Sequence, residues 1–214
     1  MRKHKKLTRR NFTALTSVAA LGLTAEVKSA QDDSPNGIVY KPADPSKVAA
    51  YAYKLYTEGS CMYATVKSVL LFTSTKPNPV PYDMFRYGHG GCGGQGSLCG
   101  ACNGAAAAIG YYIHDKKECD AIIANVFKWY ETEKLPVFKP ADSKEDITAV
   151  SGSILCHISM TEWCKAAGKS IFSAERKDRC ARLTADTAAT TVELLNDYFS
   201  GSLIKKKTVL SRKK

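Results

Sequence analysis

From residue 45 onward, apolar positions recur every three or four residues between glycine and proline breaks. Strand-like alternation is hard to find anywhere. The stretch SKVAAYAYKLYTEG carries a one-sided apolar stripe; Asp44-Pro45 offers a capping carboxylate and a proline at the first helical position, and Gly59 closes the helix. Cys61 opens a second helix, CMYATVKSVLLF. The segment TSTKPNPVPYD, with three prolines, predicts a loop, and DMFRYG a short helical piece. CGACNGAAAAIGYYI, from Cys99, is alanine-rich and predicts a helix buried close to its neighbours. Asp115 restarts a helix whose Ile122, Ile123, Val126, Phe127 and Tyr130 share one face. LPVFKPADSKED predicts another loop, SGSILCHISMTEWCKAAG a helix ended by Gly168, and a last helix runs from about Ser173 to Phe199. The expected fold is all-α: a single-domain helical bundle over residues 45–203, with a Gly/Cys-rich loop and an extended leader at 31–44.

The two ends read differently. MRKHKKLTRR leads into a mild apolar run, too short for a membrane-spanning helix of about 20 residues. Thr8-Arg9-Arg10-Asn11-Phe12 has the order of a twin-arginine export signal, so residues 1–30 are expected to direct the chain to the periplasm, with cleavage near Ser29 or Ala30. The net charge of +11 divides as +6 in residues 1–30, +6 in the basic tail 204–214 and −1 in residues 31–203. The basic pI therefore comes from the ends. A nucleic-acid binder needs a basic stripe on the folded part, and none is visible.

Eight cysteines in an exported chain suit disulfides. The export route points the other way, because it carries folded proteins, often with a cofactor inserted beforehand. The stretch GHGGCGGQGSLCGACNGA (88–105) holds three of the cysteines and eight glycines. Its G-x-G-x-x-G at Gly91, Gly93 and Gly96 follows no strand, so a dinucleotide loop is excluded in favour of chance. Cys99 and Cys102 have the spacing that attaches c-type haem, but Asn103 stands where histidine is required, and no C-x-x-C-H occurs in the chain. At a helix start, where orphan N–H groups stabilise a thiolate, the pair could act as a redox dithiol or as ligands. The glycines would let several N–H groups approach sulfur, which tunes a cluster. A tight turn holding a disulfide is the plainer reading.

A second group is Cys156-His157, Cys164 and Cys180. Eight residues of helix turn through about 80° beyond two full turns, so Cys156 and Cys164 lie towards one side. His157 suits metal or haem iron, or a hydrogen-bonded surface position; His89 and His114 are weaker candidates of the same kind. Cys119 falls on the polar side of its helix, and Trp129 and Trp163 read as core aromatics.

Taken in order, Cys61 after an amphipathic helix, Cys99-Gly100-Ala101-Cys102-Asn103-Gly104 after a glycine run, Cys156 in SILC and Cys180 in RKDRC make a pattern. It resembles the family of redox-active proteins named for C…CGAxxG…C…C, over about residues 50–198, and is closer still to its split-Soret cytochrome c branch. The resemblance implies an exported, dimeric electron-transfer protein with an iron–sulfur centre, Cys61, Cys99, Cys156 and Cys180 being the shared positions. The c-type haem of that branch lacks its attachment motif here.

The expected function is thus an exported carrier of electrons on a cysteine-ligated iron–sulfur cluster, with a redox partner protein and a second copy of the chain as partners. Metal ligands are expected among Cys61, Cys99, Cys102, Cys156 and Cys180, with Cys164, Cys92 and His157 as further cofactor-binding candidates. Two alternatives stay open: thiol–disulfide exchange by Cys99 and Cys102, and a secreted domain braced by four disulfides. No carboxylate pair, activated serine or phosphate loop suggests hydrolytic or transfer chemistry.

Overall fold

A computed structural model describes residues 39–141 and 147–202. The export signal, most of the 31–44 leader and the basic tail lie outside the described residues. Five α-helices carry the fold: α1 (Pro45–Thr73), α2 (Gly100–Tyr112), α3 (Lys116–Thr132), α4 (Cys156–Ala167) and α5 (Ala174–Phe199). A 3-10 helix spans Tyr82–Gly88, and β1 (Lys134–Leu135) pairs antiparallel with β2 (Ala149–Val150). The all-α bundle expected from the periodicity is the fold observed.

Local chemistry sets the helix ends. Asp44, Asp115 and Ser173 cap α1, α3 and α5 by accepting from the N–H groups of Ser46, Glu118 and Arg176. Gly168 ends α4 in the left-handed conformation at φ 63°. The Gly59 break appears as a kink in α1, with Ser60 at φ 66° and ψ −168°. The helix around Cys156 starts later than its periodicity suggests. Gly152 turns left-handed, the Ser151 and Ser153 hydroxyls hold a turn, and Leu155 bridges to Leu98 before α4 begins.

α1 runs through the middle of the bundle, packed chiefly on α5 and then on α2. Val48, Val66, Val69, Ile109, Val126 and Val192 are fully buried where four helices meet. On α5 the buried stripe is partly charged: Arg179, Arg182 and Asp186 stand inside with Leu183. Asp186 accepts from the N–H groups of Val137 and Phe138, both at 2.8 Å, and Arg182 Nε donates to the Phe138 carbonyl. These bonds fasten the chain after α3 to α5. Asp186→Ala would leave the part-buried N–H groups of Val137 and Phe138 without their acceptor. The expected cost is about 2 kcal/mol, read as a lower urea midpoint with an unchanged slope. Among the described residues, no helix is long and apolar enough to cross a membrane.

Candidate metal centre

Four separate segments deliver cysteines to one cleft of about 1120 Å³. Cys61 comes from the restart of α1, Cys99 from the N-cap of α2, Cys156 from the first residue of α4 and Cys180 from the second turn of α5. Gly90, Gly94, Gly96 and Ser60 complete the floor and walls beside His89 and His157. All eight cysteines are free thiols, so no disulfide braces the fold.

The kink in α1 is what turns Cys61 into the cleft. Serine carries a Cβ and seldom adopts φ 66°, so the conformation holds strain that glycine would not. Ser60→Gly is therefore expected to stabilise the protein by about 1 kcal/mol while leaving the cysteines in place. Unchanged or lower thermal stability would count against strain at this residue.

Glycine is required at two points of closest approach. A Cβ on Gly91, at φ 71°, would stand 2.6 Å from the Ser97 nitrogen and 2.7 Å from the Cys156 Cβ. At Gly100 it would stand 2.3 Å from the Gly88 oxygen and 2.4 Å from the Cys61 sulfur. Main-chain bonds then tie the glycine loop to α4: Cys156 N–H donates to the Ser97 carbonyl at 2.7 Å and His157 N–H to that of Gly96. His157 Nδ1 also sits 2.8 Å from the Gly96 oxygen, which can only accept, so Nδ1 donates there.

The four sulfurs are not alike. Cys102 donates to Cys99 and lowers its thiol to about 6, helped by the Tyr130 hydroxyl, the Ala101 N–H and the charge of Arg179. Burial pushes Cys61 up, and the neighbouring Cys99, Cys180 and Cys156 push it further. Burial also pushes Cys156 up to about 12, with Cys99 and Cys180 adding to it. Cys61 and Cys156, held up by burial and by their neighbours, give up their protons to a cation that takes the sulfurs. Among the described residues, no three His, Cys, Asp or Glu side chains are gathered into a site for a single metal ion.

The other predicted residues are placed elsewhere. Cys102 is fully buried behind Cys99 and does not line the cleft. Cys164 is also absent from it: eight residues along α4 carry it about 12 Å down the axis, which the shared side does not offset. Cys92 is exposed on the outside of the glycine loop, Cys119 is half-buried near Gly110, and His114 is exposed away from the cleft. Trp163 is a core aromatic with its indole N–H on the Ile147 carbonyl; Trp129 is only half-buried. Sequence reasoning missed Tyr130, Ser159 and Arg179, a buried polar group against the sulfurs. Tyr130 Oη and Arg179 Nη2 both donate to Ser159 Oγ at 2.8 Å. The available signal was an arginine on the apolar stripe of α5.

Comparisons with known proteins converge on one relationship. The family model described as "Putative redox-active protein (C_GCAxxG_C_C)" matches residues 61–194. The chain is 34% identical over 164 residues to the split-Soret cytochrome c of Desulfovibrio desulfuricans, covering 72% of this chain and 58% of that protein. It thus spans somewhat over half the length of that relative. A solved structure, described as a novel iron centre in the split-Soret cytochrome c from the same species, matches with a TM-score of 0.68 at 35% identity. That match covers 73% of this chain and 69% of the solved one. The family's label writes Gly before Cys, whereas this chain has Cys99 before Gly100.

Proposed function

Since the chain belongs to the C_GCAxxG_C_C family of redox-active proteins, we propose that it holds an iron–sulfur cluster on Cys61, Cys99, Cys156 and Cys180 and carries electrons through it. The observation that carries this reading is the convergence of four free thiols from four segments on one cleft. The donor set fits the group: thiolates suit iron clusters, and sulfurs spread around a cleft suit a core of several irons better than one zinc ion. Bound there, the cluster supplies one-electron oxidation and reduction.

The chain's own residues do the rest. Cys99 offers the readiest thiolate, and Cys102 serves as a donor to its sulfur rather than as a ligand. The glycine loop brings main chain close to sulfur, with the Gly90 N–H directed at Cys61. His157, tied through Nδ1 to the Gly96 carbonyl, stands at the cleft wall beside the cysteines. Haem is not part of this reading, because Cys102 is turned into the core and no histidine follows it. The relative's iron centre supports the proposal from outside. Export by the twin-arginine route, a second copy of the chain and a redox partner protein belong to the same proposal. The partner would meet the cleft lip, where Phe172 is 82% exposed.

The test is iron and acid-labile sulfide analysis of protein purified without oxygen, with a visible spectrum. Bound iron and sulfide with thiolate-to-iron absorption are expected. Colourless, metal-free protein, even after iron and sulfide are supplied, would sink the reading.

One observation favours a second reading, thiol–disulfide exchange by Cys99 and Cys102: Cys99 is the one thiol drawn down to about 6, and its partner donates to it directly. Both sulfurs are buried, so a disulfide substrate would have to enter through the cleft. Turnover of such a substrate that vanishes in Cys102→Ser, with no iron bound by the wild type, would replace the first reading with this one.

A further inference from the structure

The most deeply buried charge at the cleft is a cation that no carboxylate pairs with among the described residues. Arg179 is 3% exposed and lines the cleft that the four cysteines share. Its Nη2 donates to Ser159, its Nη1 stands 4.0 Å from the Cys180 sulfur, and its Nε has no hydrogen-bond partner. No carboxylate pairs with it among the described residues. Asp186, a carboxylate that feels its charge, is raised by burial and held by the N–H groups of Val137 and Phe138, and Arg182 acts on it ahead of Arg179.

Taking a guanidinium out of water is expensive unless an opposite charge meets it. A phenol and a serine do not provide one, and of the sulfurs only Cys99 is drawn towards the anion. The arrangement makes sense when the sulfurs are thiolates and what they hold is anionic as a whole. An iron–sulfur core ligated by four thiolates is such a group, and it becomes more negative when reduced. Arg179 sits beside Cys180, near Cys99, and behind the surface, where water does not screen it.

We propose that Arg179 is the counter-ion of the sulfur-held centre and raises its reduction potential. The inference rests on the iron–sulfur reading above. The step it acts on is a single electron passed from the redox partner protein, which is oxidised, to the centre, which is reduced. No proton moves, so the centre gains one negative charge. A fixed buried cation favours that state over the oxidised one. Arg179 is a positioning residue in this sense: it acts on the electron's energy through the field at sulfur.

The test compares wild type, Arg179→Met, Arg179→Lys and Arg176→Met, all loaded without oxygen, by reductive titration followed optically. Arg176 also lines the cleft but is only half-buried. Arg179→Met is expected to disfavour the reduced state at least tenfold, 59 mV for a one-electron couple. Arg179→Lys should stay within about threefold of wild type and Arg176→Met should shift less than Arg179→Met. The same variants, stripped with a chelator and melted at pH 5, give an independent reading. Arg179→Met should then melt at or above wild type, because an unpaired buried charge has become an apolar chain of similar length.

A loaded Arg179→Met protein with an unmoved potential overturns this inference alone. So does a stripped variant that melts several degrees below wild type, which would make the arginine a structural tie. Wild-type protein that takes up no iron overturns the cluster reading and this inference together.

Discussion

Cys99→Ser protein, purified without oxygen and supplied with iron and sulfide, should retain less than about a tenth of the wild-type iron and lose its thiolate-to-iron absorption. Cys99 is expected to matter most because its neighbours already prepare it as an anion. Cys102, Tyr130, the Ala101 N–H and Arg179 all act on that sulfur, and serine oxygen is a harder donor that iron–sulfur cores hold poorly. Cys61, Cys156 and Cys180 should also lose most of the iron, though less completely, since each is the only cysteine its segment brings to the cleft. Cys92→Ser and Cys119→Ser should load like wild type, the first being exposed outside the loop and the second remote from the cleft. Cys102→Ser is the informative intermediate. A ligand role predicts loss as complete as in Cys99→Ser. A donor role predicts retained iron, because a serine hydroxyl still donates to the Cys99 sulfur. Full iron in Cys99→Ser would refute the proposed ligand set.

What could be read in advance was local. Capping by Asp44, Asp115 and Ser173 and termination by Gly168 depend on a few adjacent residues, so they are written in the sequence and reproduced in the fold. The same holds for the break before Cys61, which Gly59 marks. The site is different, because each cysteine is carried by its own segment and the meeting is a product of helix packing. Cys156 and Cys164 share a helix side, and angle alone cannot separate them; the 12 Å of axial rise does, once the cleft has a position along α4. Cys102 looks like half of a dithiol in sequence, yet the turn from N-cap into helix points it into the core while Cys99 stays at the cleft. Tyr130 reads as one more apolar position of α3. Its role beside Ser159 and Arg179 exists only because α3, α4 and α5 converge there.

Gly100→Ala should cost about 3 kcal/mol of stability and most of the iron as well. For a domain of this size that is roughly 9 °C in melting temperature. The added Cβ would meet the Gly88 oxygen at 2.3 Å and the Cys61 sulfur at 2.4 Å, with the Met62 nitrogen at 3.2 Å. None of these can yield alone. Gly88 is itself pressed on Met62, where a Cβ would lie 2.4 Å from the sulfur, and Met62 is buried in the main core. The start of α2 or the restart of α1 must therefore move, and those two points carry Cys99 and Cys61. Gly94→Ala separates crowding from backbone preference. Gly94 has φ 80°, so alanine is strained there by about 1 kcal/mol, yet nothing lies within 4 Å of its Cβ. That variant should lose a little stability and keep its iron. Equal iron in both variants would mean that the approach of Gly100 to Cys61 does not hold the sulfurs in register. A selective loss in Gly100→Ala would explain why glycine opens α2 directly after Cys99 in this chain.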